Sequence, residues 1–335
     1  MKRIAAAVLA LALAAQATAA WGWGATGHRL LAVAAVQALP PELPAFVRSP
    51  DAQTEIGELA REPDRWKGAG EIHDKDRDPA HFVDLDSRGL VLGGPSIDAL
   101  PPTRLEYQKA LVAAGTDEGK AGYLTYALVD GWQQLVHDFA YWRVLAAAEA
   151  RATTPERRAW FAEDRRRREQ LILRDLGVWA HYVGDASQPH HTSIHYNGWG
   201  PYPNPEGFTQ AKVHGPFEGA FVRANVTAPM LKGAMAPPNV CTAAIEACVV
   251  AYIKRTNATV IPYYRLEKAG GFRPGDPRGQ AFAAERVAAG AAELRDLTVA
   301  AWRASAGSQV GWRPVSVADV EAGRVDPFDA LYGID

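Results

Sequence analysis

Two pairs of residues in this chain set a histidine four positions before a carboxylate, His181…Asp185 and His214…Glu218. On a helix, residues four apart project from one face, so each pair offers a nitrogen and an oxygen to one point. That mixed donor set suits a borderline divalent cation such as zinc. Pro189 ends the helical stretch of the first pair, and the chain beyond it is free to fold His191 back toward the same point. Pro216 complicates a helix through the second pair, although proline is tolerated in a first turn. Two further segments carry the same residue types, His81-Phe-Val-Asp84 and Asp64-Arg-Trp-Lys67. One such pair is equally consistent with a polar surface; it is the repetition that singles them out. All nine histidines fall between His28 and His214, which points to one site built from the first two-thirds of the chain.

Groups so far apart in sequence need rigid elements to bring them together, and the chain reads as all-α. Residues 28–38 are Ala/Leu-rich and stop before Pro40-Pro41. Thr154-Pro155-Glu156 is a helix start, with a capping hydroxyl and proline in the first turn, leading into a helix over 156–184. Residues 280–304 repeat apolar positions at spacings of three and four. Pro/Gly-rich stretches at 197–207, 233–239 and 270–279 read as loops. The four arginines Arg165–Arg168 point around a whole helical turn and form no single basic face, so they read as a solvated helix surface. Together these features predict one mostly helical domain over 23–335.

With 48% hydrophobic residues, 22% charged and a net charge of −2, the 335-residue chain is neither a disordered tail nor a basic nucleic-acid coat. Lys2 and Arg3, the apolar run Ile4 to Ala15 and the small residues Ala17 to Ala20 are laid out as a secretory signal peptide over residues 1–22. Cleavage after 19, 20 or 22 fits the small residues there. The run is too short to be a transmembrane anchor, which needs about 20 residues, so the expected location is secreted or periplasmic. In such an oxidising compartment Cys241 and Cys248 are expected to form a local disulfide.

The motifs resemble the superfamily of zinc-dependent single-strand-specific nucleases and bacterial zinc-dependent phospholipases C. Its His-x-x-x-Asp followed by Gln-Pro-x-His stands here as His181…Asp185…Gln188-Pro189-His190-His191, its N-terminal Trp-Gly-x-x-Gly-His as Trp23-Gly-Ala-Thr-Gly27-His28, and its His-[FY]-x-Asp as His81-Phe-Val-Asp84. The likeness spans Trp23 to Glu218. It implies the family's all-α fold, with extra helices inserted around 88–170, and three Zn²⁺ ions. Asp64, His81, His181 and Asp185 would hold one. His191, His214 and Glu218 would hold a second, more accessible one. The amine and carbonyl of Trp23, His28 and a bridging oxygen of Asp185 would hold the third. A free amine at Trp23 requires cleavage after Gly22; the duplicated Trp21-Gly22 offers Trp21 as the alternative mature terminus. His73, His137, His190 and His195 match no family ligand and read as surface or supporting residues, with His190 and His195 close enough in sequence to touch substrate.

The implied activity is phosphodiester hydrolysis by zinc-activated hydroxide. Asp64 would orient or deprotonate the nucleophile, Lys67 would neutralise transition-state charge, and Asp84 would bind the substrate, a base edge in the nuclease branch. The motifs are mixed: Lys67 and Asp84 resemble the nucleases, whereas Glu218 in His-x-x-x-Glu resembles the phospholipases. The expectation is a single-strand nuclease acting on DNA or RNA, with a phospholipase C as the alternative and an inactive zinc-binding protein as the third reading. No stable protein partner is expected. Trp199, Tyr202 and Phe208 either form a stacking or lipid-contacting platform or cap the core.

Overall fold

The computed structural model describes residues 23–333; residues 1–22, where a signal peptide and its cleavage are expected, lie outside them. Within them 65% of the chain is helix and 3% strand, so the all-α expectation holds. The strands are Gln309–Val310 and Val315–Ser316, paired antiparallel.

Helix α1 (Gly24–Gln37) starts four residues earlier than its composition suggests. Its buried stripe is Gly27, His28, Leu31, Ala32, Ala35 and Val36, so the same spacing that points aliphatic side chains inward also points His28 inward. Helix α2 (Pro50–Leu59) is capped by the Ser49 hydroxyl, which accepts the Ala52 N–H at 3.1 Å. The short helix α3 (Glu62–Arg65) follows and carries Asp64. Helices α4 (Leu124–Arg151) and α5 (Pro155–Asp185) form a hairpin joined by three residues. Thr154 caps α5 as its sequence indicates, its hydroxyl accepting the Arg157 N–H at 3.3 Å. Helices α6 (Ile245–Asn257), α7 (Val260–Lys268) and α8 (Pro277–Ser305) complete the frame. The loops expected at 233–239 and 270–279 are trimmed by a short helix ending at Ala234 and by α8 starting at Pro277.

The region around 88–170 is built into the core. Leu124, Leu128, Leu135 and Phe139 of α4 join the same apolar core as Leu31, Ile56, Leu176, Val183 and Val287. Helix α4 is the main packing partner of α5, so it supports the helix that carries His181 and Asp185. Gly177 lets α5 and α2 meet closely, since a Cβ there would stand 2.5 Å from Leu59 Cβ. Helix α6 braces the site from the far side. Its Tyr252 hydroxyl donates to the Val183 carbonyl at 2.8 Å, and Asn257 Nδ2 donates to the Thr192 carbonyl at 2.7 Å.

Cys241 and Cys248 are joined in a disulfide, with Cα atoms 6.1 Å apart. The arginine tract disperses as expected: Arg165 pairs with Glu149 and Glu169, and Arg167 with Glu163. Arg168 departs from the solvated pattern and reaches the buried Asp138 at 2.6 Å. Among the described residues no helix is long and apolar enough to cross a membrane.

Candidate metal centre

The last turn of α5 delivers His181 and Asp185, both fully buried. His181 Nδ1 lies 2.8 Å from the Ala60 carbonyl at the end of α2. A carbonyl only accepts, so the proton sits on Nδ1 and the Nε2 lone pair faces away from it. That lone pair meets His81 Nδ1 at 3.0 Å, Asp185 Oδ2 at 3.3 Å and Asp64 Oδ1 at 3.9 Å. His81 arrives on the tight turn Asp78–His81, and its Nδ1 is also 3.0 Å from Asp185 Oδ2. From α1, His28 stacks on His181 with ring centres 3.8 Å apart and sets Nε2 3.4 Å from Asp185 Oδ1. Neither nitrogen of His28, nor Asp185 Oδ1, has a hydrogen-bond partner.

A separate group forms around the turn Pro189–Thr192 and the helical segment that begins at His214. His191 Nδ1 donates to the His81 carbonyl at 2.5 Å, leaving Nε2 to face His214 Nε2 at 3.0 Å and Glu218 Oε2 at 3.7 Å. His214 Nε2 stands 2.6 Å from the same carboxylate oxygen. Pro216 is accommodated in the first turn, and Pro216–Phe221 widens into a π-helical turn, a form often found at functional sites. Gln188 ties this group together: its Nε2 donates to Glu218 Oε2 at 3.1 Å and its Oε1 accepts the His190 N–H at 2.6 Å.

Three buried groups therefore could each hold a metal ion: His28, His181 and Asp185; Asp64, His81 and His181; His191, His214 and Glu218. Ligand atoms about 2.1 Å from one tetrahedral cation stand roughly 3.4 Å apart, close to the spacings measured here. His181 and His191 are each oriented by a backbone carbonyl on the other ring nitrogen, as metal-binding imidazoles commonly are. The orphaned buried atoms Asp185 Oδ1 and His28 Nε2, 3.4 Å apart, are ones a shared cation would satisfy.

Electrostatics favour the ligating form at His28, His81, His214, Asp64 and Asp185 and oppose it at Glu218 and His181. Burial drives His81 and His214 down to about 4, so both imidazoles are neutral and able to ligate. Burial also lowers His28, with His181 adding to the effect. Glu218 is pushed up to about 8 by burial. For Asp185 burial is outweighed by His181 and His191, which hold it well below the usual carboxylate range. In Asp64 burial is likewise outweighed, by His181 and Lys67. His181 moves up because Asp185 and Asp64 outweigh its burial.

The nine residues proposed from the motifs are not placed alike. His28, Asp64, His81, His181, Asp185, His191, His214 and Glu218 fall into the three groups, with Asp185 touching the first two. Trp23 is fully buried, and its indole N–H is shared between the Gly184 carbonyl and Ser187 Oγ, both at 2.8 Å. Its carbonyl accepts the Gly27 N–H at 3.2 Å in the first turn of α1. Lys67 Nζ pairs with Asp64 Oδ1 at 2.7 Å. Asp84 is buried, its Oδ1 unpartnered and its pKa well above the usual value through burial.

Lys67, His81, Asp84, His191 and His214 all line one cavity of about 550 Å³, with His190, Leu92, Tyr196 and Tyr202 on the same walls. Two larger cavities, of about 1060 and 1030 Å³, border α4 and hold none of the three groups. Trp199 and Phe208 cap the core instead of forming a platform; Trp199 stacks on His195 at 3.6 Å. His195 Nδ1 is taken by the Trp199 carbonyl at 2.7 Å. His190, read as a supporting residue, is buried against Tyr263 and reaches the cavity wall. His73 and His137 stand outside the groups, His73 beside Asp74 and His137 against Tyr141. Gln188 is the functional residue easiest to overlook: it stands in the Gln-Pro-x-His motif, but nothing in the sequence shows what its amide holds. The chain matches no protein-family model and no curated protein.

Proposed function

We propose that this protein is an exported three-zinc phosphodiesterase, acting first on single-stranded DNA or RNA. The observation that carries the reading is that imidazoles from two of the groups, His81 from one and His191 and His214 from another, open onto one cavity that also holds Lys67 and Asp84. Zinc in such groups supplies Lewis acidity and brings the pKa of water toward 7. The protein's own residues do the rest. Asp64 accepts a proton or hydrogen bond from the attacking water through its carboxylate. The Lys67 ammonium, 2.7 Å from Asp64 Oδ1, places positive charge beside the phosphoryl oxygens as negative charge develops. Asp84, whose carboxyl pKa is raised well above its usual value by burial and whose Oδ1 has no partner, is suited to hydrogen-bond a polar ring edge. Its place in the cavity is why nucleic acid is favoured over phospholipid as substrate. The disulfide is consistent with an oxidising compartment.

The test is to load the purified, processed protein with zinc and assay single-stranded DNA, RNA and phosphatidylcholine alongside elemental analysis. Cleavage of the nucleic acids is expected. Cleavage of phosphatidylcholine alone would make it a phospholipase C. Three bound ions with no hydrolysis of any ester would leave a zinc-binding protein and refute the enzymatic reading.

A further inference from the structure

Among the described residues Leu92 is the one non-glycine residue with positive φ, at +45°. Gly93 follows at +78°, and the Gly94 N–H closes the turn on the Val91 carbonyl at 2.7 Å. Two successive left-handed residues in a closed four-residue turn give the type I′ geometry, whose first central position favours Asn, Asp or Gly. Leucine is disfavoured there because its Cβ crowds the following carbonyl. The loop nevertheless holds it: the Leu92 N–H donates to the Asp84 carbonyl at 2.8 Å, Val91 N–H to Pro95 at 2.9 Å, and Asp86 N–H to Leu90 at 2.9 Å.

The turn would be easier to build without leucine, so the side chain needs another reason to be there. Leu92 lines the cavity that holds Asp84, Lys67 and the inward imidazoles, and its backbone is bonded to that of Asp84. Strain that persists at a cavity wall is a recognised mark of a working residue. We propose that Leu92 is a specificity-determining residue, held in a strained turn so that its isobutyl group forms an apolar wall for the nucleoside of the substrate. This rests on the phosphodiesterase reading above. Leu92 also touches the main core, so its test must separate binding from packing.

The experiment uses the full, zinc-loaded protein as wild type, Leu92→Asn and Leu92→Gly, with a dinucleoside monophosphate and a short-chain phosphatidylcholine as substrates. Both replacements suit the turn, and glycine is the freest there, so folding is retained. We expect KM for the dinucleotide to rise at least about fivefold in both variants while kcat stays within about twofold. An unchanged KM together with a lowered melting temperature marks a packing role and overturns the inference alone. Cleavage of phosphatidylcholine but not of the dinucleotide by wild type overturns the nucleoside assignment. If wild type cleaves neither, the phosphodiesterase reading fails and the role of Leu92 falls with it.

Discussion

Replacing Glu218 with glutamine should stabilise the protein when it is stripped of metal and destabilise its metal-bound form. Glu218 is 1% exposed, and one of its oxygens has no partner. Burial raises its pKa to about 8, against the pull of His191 and Gln188, from an ordinary value of 4.5. Between those values the folded chain binds more protons than the unfolded one, so stability falls as pH rises through that window. At 1.36 kcal/mol per unit, the cost is about 3 kcal/mol near pH 7 and about 5 kcal/mol once pH exceeds 8. A bound cation needs the ionised carboxylate and offsets this cost. Glutamine keeps the shape, accepts from Gln188 and cannot ionise, so the stripped variant should melt at least about 5 °C above stripped wild type near pH 8. His214 does not blur that comparison, because its pKa is depressed to about 4 and its cost appears only as pH falls below about 6.5. Calorimetry with and without chelator, near pH 5 and near pH 8, reads both effects. A stripped variant that melts below wild type near pH 8, or metal that stabilises both proteins equally, would refute the reasoning.

His181→Ala should abolish hydrolysis and remove more than one ion, because His181 belongs to two of the three groups; full activity or an unchanged metal count by elemental analysis would sink that assignment. Cys248→Ser opens a loop whose ends are 7 positions apart, which should cost about 2 kcal/mol and lower the melting temperature by several degrees; equal melting of oxidised wild type and variant would show that the bridge contributes nothing.

Much of the frame was legible because its stops and starts are local. Thr154 and Pro155 announce the start of α5, and Pro189 marks the break beyond it, so the expected 156–184 became Pro155–Asp185. Helix α1 was read short because Gly24 and Gly27 carry poor propensity, while burial of Trp23 and Gly27 in the core decides the matter. Periodicity marks one face of a helix as apolar but does not say what covers it, and so the support that α4 gives α5 was not legible. The i,i+4 pairs were legible as pairs. Their sorting was not: that His181 stands in two groups depends on the carbonyl of Ala60 and the stacking of His28, contacts that no spacing encodes. The aromatic loop was open between platform and cap until Trp199 and Phe208 proved buried and Tyr202 proved to be on the cavity wall.

The three groups differ in how much of the chain must be in place before each exists. His191 and His214 are 23 positions apart, whereas His81 stands 100 from His181 and 104 from Asp185. Closing the longer loops costs roughly 1 kcal/mol more in chain entropy, and it also requires α2 and α5 to dock. On the proposed three-metal reading, a refolding chain short of metal would therefore fill unevenly, its first ion lodging between Pro189 and Glu218 before the deeper positions are built. Cobalt absorption followed during refolding reads that order directly, and simultaneous filling would contradict it.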